Sequence, residues 1–347
     1  GINRALCLTA FALYRNEKKV LRFVIFNVSL AILRTTFQLL GLFFYEMSFI
    51  GYLYGSCVGS GITTIAILAY TYYHSGFHFN LKFLKPLNDF ARPIFLYGLI
   101  AWGLMYAGRF FLEHYPKELG IYYTAINFAL GIQLVLQGIQ GATQPEIYRF
   151  MKAGTNEHTN EIKQLCNLLL AQTQLFIAIA IVPTMLYLAL FYKSDVSEAS
   201  NYITIIFVDY IIKTQIIIFS YPIYYLKKTK FLFIINSSVL VLNLLLNYML
   251  APVFFIYGLI ISTLLSDIIL CLSIYFYQNK IIKIKWNYNK LLLFPFILIF
   301  VISATEFLKN LFNINQFITA LISVLFIFTS NIILYKNELN KFIKKFI

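Results

Sequence analysis

The sequence predicts an all-α membrane protein, a polytopic transmembrane helix bundle with about ten complete spans. Of its 347 residues, 60% are hydrophobic and 12% are charged, whereas roughly a quarter of the residues in a soluble domain are charged. Apolar runs of about 20 residues recur along the chain, which is the length that a helix needs to cross a bilayer. These continuous runs lack the short alternating segments of a membrane β-barrel. The predicted spans are residues 23–44, 49–72, 93–112, 120–142, 165–190, 202–225, 231–250, 254–277, 291–308 and 316–335.

The basic residues follow the positive-inside rule along the whole chain. Most of the 28 Lys and Arg residues lie in alternate connections, and only Lys117, Lys193 and Lys309 lie in the connections between them. This pattern places the first basic loop and the C-terminus in the cytoplasm. The net charge of +14 therefore indicates an anionic membrane leaflet beside the helix ends and no nucleic acid partner.

The connection 73–92 is one of the two longest on the cytoplasmic side, and it contains Pro86. We interpret it as a hinge between two helical bundles, residues 1–85 and residues 86–347. No connection is large enough to form a catalytic domain, so any function has to lie between the helices. The sequence has no P-loop, no GxSxG and no HExxH motif, and its four Cys and four His residues do not cluster. It therefore predicts a protein that is not an enzyme and that binds no metal or cofactor.

Two arginines are candidates for binding an anionic substrate group. Arg34 lies near the middle of the first complete span, with Gln38 one turn later on the same face. A guanidinium at this depth either binds a phosphate in a polar cavity or pairs with a carboxylate. Arg109 lies at the end of the span 93–112. It either serves the same purpose, extends to the interface, or pairs with Glu113 one turn later.

Three further charges lie deep inside spans, where each costs about 3 kcal/mol on the most permissive scale. Asp209 and Lys213 are four residues apart, a spacing typical of an intrahelical ion pair. In a cavity, such a pair could also bind a proton or a sugar. Asp267 has no charged neighbour in its span, and it either carries a coupling proton or cation or bonds a neighbouring helix beside Ser266. Glu306 lies near a helix end, and we expect it to be hydrated.

Gln133, Gln137, Gln140 and Gln144 recur at helical spacing on one face of the span 120–142 and its extension. Amides both donate and accept hydrogen bonds, so they suit sugar hydroxyls. The alternative is hydrogen bonding between helices, which contributes about 0.6 kcal/mol per bond in membranes. We favour a cavity. A weaker stripe of the same kind consists of Asn236, Asn243 and Asn247.

Two stretches carry a resemblance to a known family. Trp102–Phe150 and Asn247–Asp267 resemble the bacterial polysaccharide flippases. These are the O-antigen and lipid-linked-oligosaccharide exporters of the multidrug/oligosaccharidyl-lipid/polysaccharide superfamily. The chain departs from the family pattern at Gly108, where an acidic residue usually precedes the arginine, and at Phe254-Phe255, where a glycine usually falls. The matching positions are Arg109, Leu112, Leu119, Gly120, Tyr122, Ala125, Ala129, Ala142, Pro145, Tyr148 and Gly258.

The resemblance implies two helical lobes around a central cavity, alternating access and a bacterial inner membrane. Residues 1–85 would be the remainder of an N-terminal lobe whose earlier helices are missing. Residues 86–347 would be the C-terminal lobe with accessory helices. The expected substrate is a polyprenyl-diphosphate-linked oligosaccharide, with proton or sodium coupling and contact with glycan polymerase machinery. The alternatives are a cation-coupled drug or metabolite antiporter of the same superfamily and a membrane glycan polymerase or ligase, which would need a large outer loop.

Overall fold

The computed structural model describes residues 6–7, 10–11, 13–14, 19–44, 49–76, 82, 84–155, 157–192, 195–312 and 314–346. Of these residues, 93% are helical and none forms a strand. Many of the helices are long and apolar enough to cross a membrane. The prediction of an all-α polytopic membrane bundle is therefore confirmed.

The chain divides into two compact units, residues 1–84 and 85–347. The assignment of lobes to these two units stays a prediction. The first contains α1 (Val20–Phe44) and α2 (Phe49–Ser75). The second contains α3 (Leu84–Phe111), α4 (Pro116–Gly154), α5 (Thr159–Phe191), α6 (Ser200–Tyr225), α7 (Thr229–Ile281), α8 (Phe294–Phe312) and α9 (Gln316–Phe346).

Eight helices among the described residues meet the length and hydropathy of a membrane span, against about ten predicted spans. Part of the difference lies in α7, which is 53 residues long and contains two predicted spans, 231–250 and 254–277. The backbone of Phe255 leaves the helical region between them. The predicted span 93–112 coincides with the second half of α3.

In the first unit, α1 and α2 pack backbone to backbone through glycines. A Cβ at Gly55 would lie 2.0 Å from the carbonyl oxygen of Phe37, and one at Gly41 would lie 2.1 Å from that of Gly51. Gly51, Gly55 and Gly59 are four residues apart, so they share one face of α2. Lipid provides no hydrophobic force between helices, and small residues instead allow the close approach from which van der Waals packing arises.

In the second unit, α6 is the central helix. It packs against α4, α5, α7 and α8. In the most apolar stretch of α6, 83% of the residues are buried, whereas the share is 50% or less in each of the other spans. A helix surrounded in this way is apolar on all sides, so its few polar side chains must find partners on neighbouring helices.

The two arms of α7 fold back on each other at a tight turn. Phe255 has φ 48° and ψ −122°, a conformation that favours glycine. A Cβ at Gly258 would lie 2.3 Å from the carbonyl oxygen of Leu250, so a side chain there would prevent the turn. The ring of Phe255 packs edge-to-face on Tyr115, with 5.1 Å between the ring centres. This contact offsets part of the backbone cost.

Polar contacts join the start of α8 and the end of α9 to the rest of the unit. A π-helical turn, Asn289–Leu293, leads directly into α8. Gln215 of α6 donates to the carbonyl oxygen of Leu291, and the hydroxyl of Tyr335 in α9 donates to that of Lys290. The ammonium of Lys290 contacts Glu338 at 2.8 Å, and Asn167 of α5 donates to the same carboxylate.

The prediction that Glu306 is hydrated is wrong. Its side chain is 3% exposed and pairs with Lys309 at 2.5 Å. Lys309 also donates to the backbone carbonyl of Asn201, at the start of α6. The end of α8 is covered by α6, and the two opposite charges therefore neutralise each other away from water.

We predict that Gly55→Ala opens the α1–α2 pair. The new methyl group would collide with the Phe37 carbonyl, and overpacking of this kind costs about 1–3 kcal/mol. Hydrogen exchange of the intact chain in detergent should show faster exchange in α1 and α2. The control is Gly138→Ala in α4, where a Cβ meets nothing within 4 Å and protection should be unchanged or higher. Equal effects of the two substitutions would contradict the close packing.

We predict that Phe255→Gly is more stable than Phe255→Ala by about 1–3 kcal/mol, the cost of a strained backbone conformation. Both variants lose the ring contact with Tyr115, but only alanine keeps the strain. The measurement is unfolding by titration with sodium dodecyl sulfate in mixed micelles. An alanine variant as stable as the glycine variant would show that the turn stores no strain.

Candidate functional site

The second unit encloses a cavity of about 340 Å³ between α3, α4, α6 and α7. This volume is at the small end of the range for ligand sites in proteins, about 300–1,000 Å³. Its walls are apolar where α3 and α6 contribute Leu104, Ile216 and Ile217. Its polar lining residues are Tyr122, Gln133, Gln137, Gln140, Asp209, Tyr210, Lys213, Asn236, Asn243, Thr263, Ser266 and Asp267.

Three charged residues of this lining form one group, the triad Asp209–Lys213–Asp267. The ammonium of Lys213 donates to Asp209 one turn earlier on α6, and it lies 3.7 Å from Asp267 of α7. The sequence spacing predicts the first contact. The second requires the packing of α6 on α7, so Asp267 has a charged neighbour that its own span does not supply. Lys213 also lies over the ring of Tyr210, 4.6 Å from its centre.

The triad is buried unevenly. The side chain of Lys213 is 37% exposed, whereas those of Asp209 and Asp267 are 7% and 12% exposed. Oδ1 of Asp209 and Oδ2 of Asp267 are buried and have no hydrogen-bond partner among the described residues. The ammonium therefore faces the cavity while the carboxylates lie behind it.

Amides line the cavity from two helices. Gln133, Gln137 and Gln140 line it from α4, and Asn236 and Asn243 line it from the first arm of α7. Gln133 and Gln140 are partly buried and Gln137 is exposed, so their amides are accessible to a ligand.

Two amides of the stripes lie outside the lining. Gln144, the last member of the glutamine stripe, donates to the hydroxyl of Tyr148 at 3.0 Å. The amide nitrogen of Asn247 donates to the side-chain oxygen of Asn243, and the amide nitrogen of Asn243 donates to the hydroxyl of Ser266. The asparagine stripe thus joins the two arms of α7 and also faces the cavity.

Arg109 does not belong to the lining. Its guanidinium lies between the rings of Tyr106 and Tyr123, 4.3 Å and 4.4 Å from their centres. Its Nε is buried and has no hydrogen-bond partner among the described residues. A Cβ at Gly108 would lie 3.2 Å from the hydroxyl of Tyr122, so this position leaves little room for the acidic residue of the family pattern. Aromatic faces stabilise the cation instead.

Arg34 and Gln38 belong to the first unit, on α1. The Nε of Arg34 donates to the hydroxyl of Ser56 on α2 at 3.1 Å, and its side chain is exposed. Gln38 is half-buried beside the close contact at Gly55. The cavity in the second unit is lined without either residue.

Tyr122 and Tyr210 line the cavity, although Tyr122 was noted only as a matching position of the family pattern and Tyr210 was not noted. The chain contains 26 tyrosines, and their frequency hides the two that face a polar cavity. Within the described residues, no group of three or more His, Cys, Asp or Glu side chains could hold a metal ion. The lining offers hydrogen-bonding side chains and one small charge cluster.

No model of a known protein family matches the chain, and no curated protein is significantly similar to it. The resemblance of Trp102–Phe150 and Asn247–Asp267 to the polysaccharide flippases stays a prediction.

We predict that Lys213→Met destabilises the protein by about 3 kcal/mol. The substitution leaves two buried carboxylates without a counter-charge, and this value is the low end of the range for buried pairs because Lys213 is 37% exposed. The second substitution Asp209→Asn in that background should recover at least half of the loss. Unfolding in mixed micelles measures both effects.

The control is Lys117→Met. Lys117 pairs with Glu198 at 3.1 Å, but both side chains are 48% exposed, and such pairs contribute about 0–1 kcal/mol. Equal losses of stability in the two Lys→Met variants would show that the ion contacts of the triad stabilise the protein no more than an exposed pair does.

Proposed function

We propose that the chain is a membrane transporter that moves a polyprenyl-diphosphate-linked oligosaccharide, an O-antigen or capsule repeat unit, across the bacterial inner membrane by alternating access. The observation that supports this proposal best is the cavity with amides on two walls and one ammonium, inside a membrane bundle. The cavity offers contacts for sugar hydroxyls and for one anionic group. Nothing in this proposal requires a catalytic residue or a cofactor.

The amide walls suit a glycan. A sugar hydroxyl both donates and accepts, and so does a carboxamide, so each Gln or Asn can satisfy a hydroxyl in either direction. Glutamines on α4 and asparagines on α7 would hold a sugar ring from two helices. The ring faces would pack on Tyr122 and Tyr210, as apolar surfaces with a polar edge.

The cations suit the diphosphate. Lys213 is the basic residue that lines the cavity. Arg109 keeps its planar donors available because its contacts are with aromatic faces, and a guanidinium binds phosphate oxygens in a bidentate manner. Within the first unit, Arg34 with Gln38 is the separate candidate for binding a phosphate. The lipid tail would stay in the bilayer while the glycan occupies the cavity.

A second candidate is a cation-coupled drug or metabolite antiporter. The observation that favours it is the presence of two carboxylates, Asp209 and Asp267, in the lining. Carboxylates in a cavity attract cationic substrates, and buried intramembrane carboxylates also carry coupling protons or sodium ions. In the flippase proposal the same two residues couple transport to an ion gradient. The C-terminus would be cytoplasmic in both cases, and a flippase would work beside the glycan polymerase machinery.

We predict that the complete reading frame restores surface glycan in a bacterial strain that lacks its own O-antigen flippase. Gln137→Ala combined with Gln140→Ala should lower the glycan about tenfold at equal protein level. Each amide lost removes a hydrogen bond worth about 0.5–1.5 kcal/mol. Asp267→Ala and Arg34→Ala should also lower it, through coupling and phosphate binding. Surface glycan is measured by gel electrophoresis of extracted polysaccharide.

The matched control is Gln164→Ala on α5, the same change outside the cavity lining. It should rescue as well as the parent. A parent that is expressed but restores no glycan, and that confers resistance to cationic drugs lost in Asp267→Ala, would replace the flippase proposal with the antiporter.

A further inference from the structure

The triad carries an uneven number of charges. When Asp209, Lys213 and Asp267 are all ionised, their charges sum to −1, and both carboxylates contact the same ammonium. Separating a net charge from water in a membrane protein is expensive unless it is neutralised. The two carboxylates contact the same ammonium, so their charges lie close to each other. Like charges at such distance favour sharing one proton over full ionisation of both groups.

Lys213 is the only member of the triad with a substantial exposure to the cavity. Its ammonium sits on a flexible four-carbon stem, and it can reach either the carboxylates or a ligand in the cavity. While both carboxylates are charged, they hold the ammonium and the group as a whole repels an anion. Protonation of one carboxylate removes one of the two negative charges that attract the ammonium, and it brings the net charge of the triad to zero.

We propose that Asp209 and Asp267 share one proton, and that uptake of this proton releases the ammonium of Lys213 to bind an oxyanion in the cavity. The proton binds to a carboxylate oxygen, and no covalent bond of the ligand forms or breaks. The contact from Lys213 to Asp209 is exchanged for a contact from Lys213 to the oxyanion. The proposal rests on the proposed function only in taking the ligand of this cavity to carry a phosphate.

The other titratable groups around the triad are neutral near pH 7. They are the phenols of Tyr210 on α6 and Tyr122 on α4, and the thiol of Cys271, one turn after Asp267 on α7. Tyr122 also lies within the field of Arg109, a fixed positive charge. The residues that α3 contributes to the cavity lining, Ala101 and Leu104, are apolar. The proton-dependent charge of the cavity is therefore that of the triad.

Linkage makes the proposal quantitative. If anion binding is accompanied by uptake of one proton, the association constant of the anion rises tenfold for each unit of falling pH. The rise stops at the pH where the free triad already holds the proton. Asp267→Asn removes the excess negative charge permanently, so its anion affinity should be independent of pH and, at high pH, above that of the parent.

The test is sulfate binding to the purified chain in detergent micelles. It is measured by calorimetry between about pH 5.5 and 8.5, close to the pH range in which proteins are most stable. Sulfate mimics a phosphate oxyanion but does not itself titrate in this range. The parent should show the tenfold slope per pH unit. Asp267→Asn should show no slope, and Lys213→Met should lose binding. Asp209→Asn is read in the same way if Asp267→Asn does not fold.

The control is Glu306→Gln, which removes a buried carboxylate of the same unit outside the cavity lining and should keep the parent's slope. The proposal is overturned by sulfate binding without a pH slope, by no sulfate binding at any pH, or by a slope that survives in Asp267→Asn. Binding that follows the sodium concentration and not pH also overturns it. If glycan rescue succeeds and the slope is missing, this inference fails and the proposed function stands; the reverse pattern removes the flippase.

Discussion

A polar group inside a membrane protein has to find its partner within the protein, because hydrocarbon offers none. This constraint organises the second unit around α6, whose polar side chains point in different directions. Asp209 and Lys213 face the cavity, and Gln215 faces the π-helical turn before α8. The backbone of Asn201 at its start accepts from Lys309 of α8. One buried helix thus fixes the positions of its neighbours through a few polar contacts, and the cavity is the space that those positions leave.

The same constraint explains which contacts are close and which are open. In lipid, helices gain nothing from burying apolar surface against each other, so shape and hydrogen bonds decide their packing. Glycines bring α1 and α2 into backbone contact, and the Lys290–Glu338 pair holds α9 against the start of α8. Amide side chains that found partners, such as Gln144 with Tyr148, complete the packing. Those of Gln133, Gln137 and Gln140 line the cavity, and the proposed function assigns them a ligand.

Hydropathy and charge patterning predicted the helical membrane bundle, because both depend on local composition. Periodicity also predicted that the glutamines share one face and that Lys213 reaches Asp209. It could not predict the neighbour across that face. Asp267 appeared isolated although Lys213 lies 3.7 Å away on another helix, and Glu306 appeared hydrated although α6 covers it. The spacing of Gly51, Gly55 and Gly59 is a sequence signal for the α1–α2 packing. It was not used, because hydropathy does not reveal it.

The charge balance of the cavity separates two kinds of recognition. The amide walls are neutral at every pH, so the contacts that they offer a ligand do not depend on protonation. The single ammonium of the lining is already engaged by carboxylates, and it cannot also neutralise a phosphate without giving up that contact. In the proposed transporter, binding of the neutral part of the ligand is therefore independent of protonation, while binding of its anionic part depends on the state of the triad. The amides would then select the glycan, and the charge of the triad would set when the diphosphate is held.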